Sequence, residues 1–228
     1  MKVRSRRYKQ DKEKIPAHPL PLNEAVELLK KLSNAKFDET VEISINLGID
    51  PRKSDHMIRG SYSLPHGTGK KKKVIAFAEG EDAQAAKEAG AIEVGGADLV
   101  EKIQGGWLDF DVAISTPAMM RHVRKLGKIL GPQGKMPSPK AGTVTQNIKT
   151  AVEEFIAGKI EFRVDPGAVL HIPVGKKSFP ENHLQENIES FLAFLATLRP
   201  ATAKGTFIQK VTVSTTMSPA IEIALKRN

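Results

Sequence analysis

The chain contains 228 residues, of which 40% are hydrophobic and 5% aromatic, so it is long enough for one or two domains with mainly aliphatic cores. It contains no cysteine, which excludes disulfides, cysteine-ligated zinc and thiol catalysis and fits a reducing compartment. Its net charge of +9 predicts an anionic partner, although charge alone does not identify that partner.

The sequence has no predicted targeting or membrane-spanning segment. The basic residues 1–10 are not followed by the apolar stretch of a signal peptide. The longest apolar run, from Phe191 to Leu198, is much shorter than the ~20 residues that cross a bilayer. We therefore expect a soluble, cytoplasmic protein that does not contact a membrane.

The first part of the chain predicts a basic arm, a helix and a half-exposed strand. Residues 1–14 hold seven basic and two acidic side chains, which gives a local charge of +5. A helix is predicted over Asn23 to Ser33. From Thr40 to Leu47 apolar and polar residues alternate. This alternation is typical of a strand with one face in the core and one in water, usually in an antiparallel sheet.

The middle of the chain has a different pattern. Val74 to Ala78 and Val112 to Ile114 are continuous apolar runs, which predict strands buried on both faces of a parallel sheet. Helical stretches alternate with these runs, over Glu81 to Ala89, Ala97 to Gln104, Pro117 to Leu126 and Val144 to Ala157. Short strands that alternate with helices predict the right-handed crossover units of an α/β domain.

The last part of the chain returns to alternating strands. Ile160 to Asp165 and Lys210 to Thr216 alternate like the first strand, and the helix predicted over Pro180 to Leu198 has one apolar face. Neither end of the chain supplies enough elements for a separate domain. We therefore expect strands from both ends to share one half-exposed sheet.

The domain organisation follows from these three parts. We predict an α+β domain, with a half-exposed antiparallel sheet and helices, built from residues 1–66 and 160–228. It is interrupted by an inserted α/β, Rossmann-like three-layer domain over residues 67–159. The chain then crosses between the domains through Pro65–Gly69 and Ala157–Lys159. Both crossings contain glycine, which tolerates dihedral change, so together they could act as a hinge.

Sequence motifs for catalysis, metal binding or cofactor binding are missing. The first α/β strand is followed by Phe77 to Asp82, which lacks the G-x-G-x-x-G fingerprint of dinucleotide-binding proteins. The six histidines do not have the spacing of metal ligands. We therefore expect no enzyme activity, no catalytic or metal site and no cofactor. The alternative is a Rossmann-like, nucleotide-dependent enzyme that modifies RNA.

Basic residues are also clustered outside the N-terminal arm. Lys70 to Lys73 form one cluster, and residues 121–140 hold six basic and no acidic side chains. In the loop predicted over Leu126 to Lys140, glycines would let backbone N–H groups approach phosphate while lysines neutralise it. A rigid surface loop is the alternative. The candidate contacts of this loop are Lys128, Lys135 and Lys140. Three basic clusters in one chain favour a nucleic acid as the partner.

Ordered sequence landmarks extend over nearly the whole chain. They are Lys36–Val41, Leu47–Pro51, Arg59–Gly60, Leu64–Lys70, Gly106–Trp107, Phe110–Asp111, Leu126–Lys140, Gly158–Arg163, Val174–Lys176, Ala203–Gly205 and Thr215–Met217. In these segments the chain resembles the ribosomal protein L-one family of the bacterial and organellar type. Members of this family lie at the mobile side stalk of the large ribosomal subunit.

The resemblance implies the function of a structural ribosomal protein. It implies binding to the stalk of large-subunit ribosomal RNA and assistance in the release of deacylated tRNA from the exit site. In bacteria it also implies repression of the protein's own operon through binding to the messenger RNA. The protein is then expected to be a monomer off the ribosome, in the cytoplasm or in an organelle with bacterial-type ribosomes.

The RNA contacts of the family correspond to two segments and two further residues. They fall here on Lys36, Phe37, Asp38, Thr40, Thr215, Thr216, Met217 and Ser218, with Arg163 and His171 as additional candidates on the half-exposed strands. Ser218 stands where the family usually has glycine, and Gln133 replaces a usual basic residue of the 126–140 loop. We expect the two segments to meet on one surface of the first domain.

Several of these residues have a structural alternative. Phe37 and Met217 could fill the core, because large apolar side chains are often buried. Thr215 and Thr216 are also ordinary strand residues by propensity. Arg163 could form a surface ion pair of little energetic consequence.

Overall fold

The computed structural model of the protein describes residues 5–32 and 35–225. The chain forms two compact units. Unit 1 consists of Met1–Gly69 and Phe162–Asn228, and unit 2 consists of Lys70–Glu161. Within the described ranges, no helix is both long and apolar enough to cross a membrane.

Helices and strands are mixed along the chain. The helices are α1 (Arg6–Glu13), α2 (Leu22–Lys31), α3 (Glu81–Glu88), α4 (Ala97–Gln104), α5 (Met120–Val123), α6 (Gly127–Leu130), α7 (Ile148–Ala157) and α8 (Glu181–Thr197). The strands are β1 (Thr40–Leu47), β2 (Arg59–Tyr62), β3 (Val74–Phe77), β4 (Glu93–Gly95), β5 (Val112–Ser115), β6 (Ile160–Arg163), β7 (Val169–Lys176), β8 (Ile208–Thr215) and β9 (Ile221–Ile223). Single 3-10 turns lie at Ser54–His56, Arg124–Leu126 and Pro139–Ala141.

Unit 1 contains a four-stranded antiparallel sheet with the strand order β7-β1-β8-β9. Every second residue of β1 is buried, because successive side chains of a strand point to opposite faces. Val41, Ile43 and Ile45 on the buried face are completely shielded from solvent. Helix α2 packs against β8 and β9, and α8 packs against β7. Burial of each large aliphatic side chain stabilises this layer by about 1.5–3 kcal/mol.

The opposite face of this sheet is polar. Thr40, Glu42 and Ser44 alternate with the buried residues of β1 and are partly exposed. The strand register places Ser44 between His171 of β7 and Thr212 of β8. The sheet is therefore antiparallel and open to solvent on one face, as the alternation of the sequence indicated.

Unit 2 contains a parallel three-stranded sheet with the order β4-β3-β5. All residues of β3 are buried, because both faces of this strand are covered. On one face Ile75 and Phe77 pack with Ile103 of α4. On the other face Val74 packs in a cluster that contains Phe155 of α7. Helices therefore lie on both sides of this sheet, as is usual for parallel strands.

Two helices of unit 2 are shorter than predicted. The helix predicted from Val144 begins at Ile148, because Val144 forms a parallel bridge with Ser115 and extends the edge of the sheet. The helix predicted from Pro117 begins at Met120, after a turn in which the hydroxyl of Thr116 accepts the N–H of Met119 at 3.2 Å. Both differences arise from hydrogen bonds that hydrophobic periodicity does not reveal.

The segment that leaves unit 1 at its first crossing is fixed by one buried amide. The side chain of Asn187 in α8 is completely shielded from solvent. Its oxygen accepts the N–H of His66 at 3.0 Å, and its nitrogen donates to the carbonyls of Gly67 at 3.0 Å and Val174 at 2.8 Å. Gly67 and Gly69 have φ angles of 61° and 72°, which other residues adopt only with strain. Strands β2 and β6 form a separate two-stranded sheet.

Candidate nucleic-acid interface

One buried carboxylate joins the segment before β1 to the end of β8. Glu39 is 1% exposed. Its Oε1 accepts the N–H of Ala35 at 3.0 Å. Its Oε2 accepts the hydroxyl of Thr215 at 2.8 Å and the N–H of Met217 at 2.9 Å. We call these three hydrogen bonds the Glu39 brace. They place side by side two segments that are more than 170 residues apart in the sequence.

The surroundings of Glu39 favour its ionised form. Burial alone would raise its pKa, but the hydrogen bonds from Thr215, Met217 and Ala35 and the positive charge of Lys177 outweigh burial. The pKa of Glu39 therefore lies below its ordinary value. The side chain is a carboxylate at neutral pH, with all of its strong donors supplied by the protein.

Two large apolar side chains are exposed on either side of the Glu39 brace. Phe37 is 54% exposed and Met217 is 49% exposed. Lys36 and Thr216, their neighbours in sequence, are exposed as well. The interpretation of Phe37 and Met217 as core residues is therefore wrong.

The backbone continues the sheet between these side chains. The N–H of Thr40 donates to Oγ1 of Thr216 at 3.2 Å, and the N–H of Thr216 donates to the carbonyl of Thr40 at 3.2 Å. We name the exposed residues of this region, together with the partly exposed Thr40, the Phe37–Met217 surface; they are Lys36, Phe37, Thr40, Thr216 and Met217. As the sequence predicted, residues from both ends of the chain meet here.

Asp38 precedes Glu39 in the same loop, but its carboxylate already accepts hydrogen bonds from within the protein. Its carboxylate accepts the N–H of Ser178 at 3.1 Å and the hydroxyl of Ser178 at 2.7 Å. Lys176, which the sequence analysis did not propose as a site residue, pairs with Thr40 across the sheet and donates to its hydroxyl at 2.9 Å. The sequence feature that could have indicated Lys176 is its place in the segment Val174–Lys176, one of those in which the chain resembles the family.

Two predicted contact residues use their hydroxyls for hydrogen bonds within the protein. Thr215 is 4% exposed and its hydroxyl donates to Glu39, so this hydroxyl does not reach the surface. The hydroxyl of Ser218 accepts the N–H of Thr215 at 2.9 Å and donates to the carbonyl of Pro219 at 3.0 Å. Both side chains shape the turn after β8. The assignment of Thr215 as a direct contact is therefore corrected to a supporting position.

The strand pattern contained the signal for this correction. Thr215 lies two residues after Val213 and four after Val211, so it is on the same, core-facing side of β8 as these two valines. Glu39 has the same parity as Val41 and Ile43, and both of its oxygens turn inward. A polar residue in phase with the apolar face of a strand is expected to be buried with hydrogen-bond partners.

The two additional candidates lie on other strands than the Phe37–Met217 surface, His171 on β7 and Arg163 on β6. His171 faces Ser44, four residues along β1 from Thr40, which at about 3.3 Å per residue corresponds to roughly 13 Å. Its Nδ1 lies 3.1 Å from Oγ of Ser44 and 3.1 Å from Oε1 of Glu42. Arg163 in β6 is exposed and lines a cavity of about 340 Å³ with Arg52, Met57 and Pro166, among others.

The basic segment of unit 2 is only partly available to a ligand. Residues 127–130 form α6, and Leu126 and Leu130 are buried, so the loop predicted over residues 126–140 is partly core. Lys128 and Lys140 are exposed. The amine of Lys135 donates to the carbonyl of Leu108 at 3.1 Å and lies 4.9 Å from the ring centre of Phe110. We therefore remove Lys135 from the candidate phosphate contacts.

The cluster from Lys70 to Lys73 is largely neutralised within unit 2. Lys70 contacts Asp111 at 3.2 Å, and Lys73 contacts Asp109 at 2.7 Å. Lys72 donates to the carbonyl of Lys159 at 2.5 Å, and burial lowers the pKa of its amine. This cluster is therefore a weaker anion site than its sequence suggested.

The carboxyl edge of the parallel sheet is acidic. Glu79, Glu81 and Asp82 follow β3, at the edge where nucleotides bind in doubly wound folds. The carboxylate of Asp98 accepts the N–H of Gly96 at 2.7 Å. The described residues include no group of three or more His, Asp or Glu side chains that could hold a metal ion. Carboxylates at this edge repel phosphate, so it does not favour the nucleotide-dependent alternative.

Comparison with known proteins identifies the family. The model of the Ribosomal protein L1p/L10e family matches residues 29–219. A "Large ribosomal subunit protein uL1" from Kosmotoga olearia is 50% identical over 224 residues, which cover 98% of this chain and 97% of that protein. Proteins of the same name from Thermosipho melanesiensis and Thermosipho africanus are each 58% identical over 203 residues, or 89% of this chain and 88% of each relative. The chain therefore belongs to the ribosomal protein L1p/L10e family.

Proposed function

We propose that this protein is a structural constituent of the large ribosomal subunit that binds the stalk of large-subunit ribosomal RNA through the Phe37–Met217 surface. The Glu39 brace is the observation that carries this proposal. It brings the exposed ring of Phe37 and the thioether of Met217 next to the threonines of the surface, Thr40 and Thr216. RNA is recognised through unstacked bases, sugars and 2′-hydroxyl groups. Flat apolar side chains next to hydroxyl groups suit that kind of recognition.

The names of the relatives and the resemblance support a wider role on the ribosome. We infer that the protein acts in the cytoplasm as part of the large subunit and assists release of deacylated tRNA from the exit site. It also represses translation of its own operon by binding a similar structure in the messenger RNA. One surface serves both RNAs, because the same contacts recognise the same RNA shape.

We further infer that unit 1 is the RNA-binding domain and unit 2 the inserted α/β domain. Each unit has its own sheet and its own buried residues, which supports this division. Sequence patterning had placed the limits after residue 66 and before residue 160, and the compact units end at Gly69 and restart at Phe162. Asn187 holds the carbonyl of Gly67, so we place a hinge of the first crossing at Gly69, whose φ of 72° favours glycine.

The test is a binding measurement with two RNAs of equal length and composition. One is a transcribed fragment of the large-subunit stalk and the other has the same nucleotides in permuted order. The full chain is expected to bind the stalk fragment more tightly, with an affinity that falls as salt rises. Equal affinity for both RNAs would overturn the proposal. Binding of ATP or S-adenosylmethionine in place of RNA would favour the nucleotide-dependent enzyme.

A further inference from the structure

The Phe37–Met217 surface is assembled from two chain segments that have no covalent connection near it. The ladder between β1 and β8 aligns Thr40 with Thr216. The residues that project beyond the ladder, Phe37 and Met217, are held through Glu39. We propose that Glu39 is the positioning residue of the RNA site, and that its carboxylate holds both segments in the arrangement to which RNA binds. This inference rests on the proposed function and deepens it.

On the first segment Glu39 closes a short loop. Its carboxylate accepts the N–H of Ala35, four residues earlier in the chain, at 3.0 Å. The three residues enclosed by this loop, 36–38, are all exposed. The carbonyl of Glu39 accepts the N–H of Lys177 at 2.8 Å, which fixes the position of the loop next to the end of β7. The loop therefore presents Phe37 outward from a defined backbone.

On the second segment Glu39 orients a turn. The N–H of Met217 points inward to the carboxylate at 2.9 Å, and its side chain is 49% exposed. The turn itself is closed by the N–H of Ser218, which donates to the carbonyl of Thr215 at 3.2 Å. With the backbone N–H bound inside, the thioether of Met217 is directed to the surface. The same carboxylate thus determines where both apolar contacts lie.

Few side chains could replace Glu39 in this role. Its two oxygens accept three donors, whereas glutamine has one acceptor oxygen and brings a donor of its own. Aspartate is one methylene shorter. An apolar side chain of similar size would leave two partly buried N–H groups and one buried hydroxyl without this acceptor. The need for three acceptor contacts at one point explains why a charge is buried beneath this surface.

Glu39 and Thr215 act on RNA only through the residues that they hold. They are 1% and 4% exposed, so neither is available for a direct contact. A change of RNA affinity in Thr215→Val, which alters no charge, therefore reflects a shift of the residues that the Glu39 brace holds. This property separates a positioning role from a contact role.

The experiment compares four variants of the full chain with the wild-type protein in binding the stalk fragment. Glu39→Gln removes one acceptor, Thr215→Val removes the buried hydroxyl, and Thr215→Ser retains that hydroxyl. Val213→Ala is the matched control, since Val213 is buried on the same face of β8 but pairs with Ile43, four residues along the chain from Glu39. Calorimetric titration is done at a temperature where every variant is folded.

We expect Glu39→Gln and Thr215→Val each to weaken stalk binding about ten-fold, which corresponds to about 1.4 kcal/mol. Thr215→Ser should bind like the wild type, and Val213→Ala should lower the melting temperature without changing the affinity of the folded protein. The double variant of Glu39→Gln with Thr215→Val should lose little more than either single variant, because both break the same brace. The salt dependence of binding should not change, because no phosphate contact is removed.

Amide hydrogen exchange supplies a readout that general stability does not change. Exchange of the Ala35 and Met217 amides should become faster in Glu39→Gln, while amides within β1 keep their protection. If Glu39→Gln is poorly folded, the comparison of RNA affinity between Thr215→Val and Thr215→Ser decides whether the brace positions the site. Wild-type affinity in both Glu39→Gln and Thr215→Val would overturn the positioning role alone. If the wild type itself does not prefer the stalk fragment, the proposed function fails instead.

Discussion

Replacement of Phe37 by alanine separates RNA binding from folding, because half of this ring is in water. Phe37 is 54% exposed. Full burial of such a side chain is worth about 1.5–3 kcal/mol, so its removal should lower the free energy of unfolding by only about 1 kcal/mol. If the ring stacks on a base, the same change should weaken RNA binding by about 1–3 kcal/mol, or roughly 5- to 150-fold.

The assay is calorimetric binding to the stalk fragment together with thermal unfolding. Phe191→Ala is the matched control, since Phe191 is completely buried in unit 1 and its loss should cost about 3–5 kcal/mol of stability. Lys36→Ala should reduce the salt slope of binding, which Phe37→Ala should leave almost unchanged. A sharp fall in the melting temperature of Phe37→Ala, with full affinity in the folded fraction, would refute the reasoning.

Three further predictions concern the same unit. Thr216→Val keeps the shape of an exposed residue and should weaken RNA binding by about 1–2 kcal/mol, as titration would show. Residues 1–69 joined to 162–228 by a short glycine linker should fold and keep their preference for the stalk fragment over the permuted RNA. The pKa of Glu39 is lower in the folded state than in the unfolded state, so its ionised side chain stabilises the fold. This stabilisation is fully present above the unfolded pKa of about 4.3 and is lost as the pH falls through the folded pKa. Urea unfolding of the wild type should therefore lose stability below about pH 4.3, and Glu39→Gln should lose less in that window.

Local periodicity predicted the elements whose environment is uniform along their length. The bounds of β1 coincide with the alternation from Thr40 to Leu47, because one face packs under helices and the other is wet. The helix α4 also has its predicted bounds. The start of α7 was wrong, because Val144 bonds to a strand almost thirty residues earlier in the chain. A short stretch of sequence contains no information about a bridge to a residue that lies far from it in the chain.

The sequence predicted which residues belong to the candidate site better than it predicted whether their side chains face the core or the solvent. The sequence alone left Phe37 either in the core or at the surface, because it stands between a helix and a strand. Thr215 was placed among the contacts although its parity with Val213 indicated the core face. Lys135 was chosen for its charge, but the carbonyl that holds it belongs to Leu108 in another part of unit 2. Charge and polarity show which residues need a partner, and only the fold shows whether the protein already supplies one.

The positive charge of the chain is not concentrated at the Phe37–Met217 surface. Lys36 is accompanied there by Asp38 and Glu39, and Lys176 already donates to Thr40. In unit 2, by contrast, exposed basic residues occur without acidic neighbours in sequence; they are Arg121, Arg124, Lys125, Lys128 and Lys140. Long-range attraction to RNA and recognition of its shape should therefore depend on different parts of the chain.

This separation is testable with two exposed residues of unit 2. In the double variant Arg124→Ala with Lys125→Ala, each lost phosphate contact should reduce the slope of log affinity against log salt by about 0.7–0.9. The ratio of affinities for the stalk fragment and the permuted RNA should stay unchanged, because phosphate contacts do not distinguish sequences. Thr216→Val should do the reverse and lower the ratio at constant slope. If the double variant instead loses the preference for the stalk fragment while its slope is unchanged, unit 2 contributes to recognition and the separation of roles is incorrect.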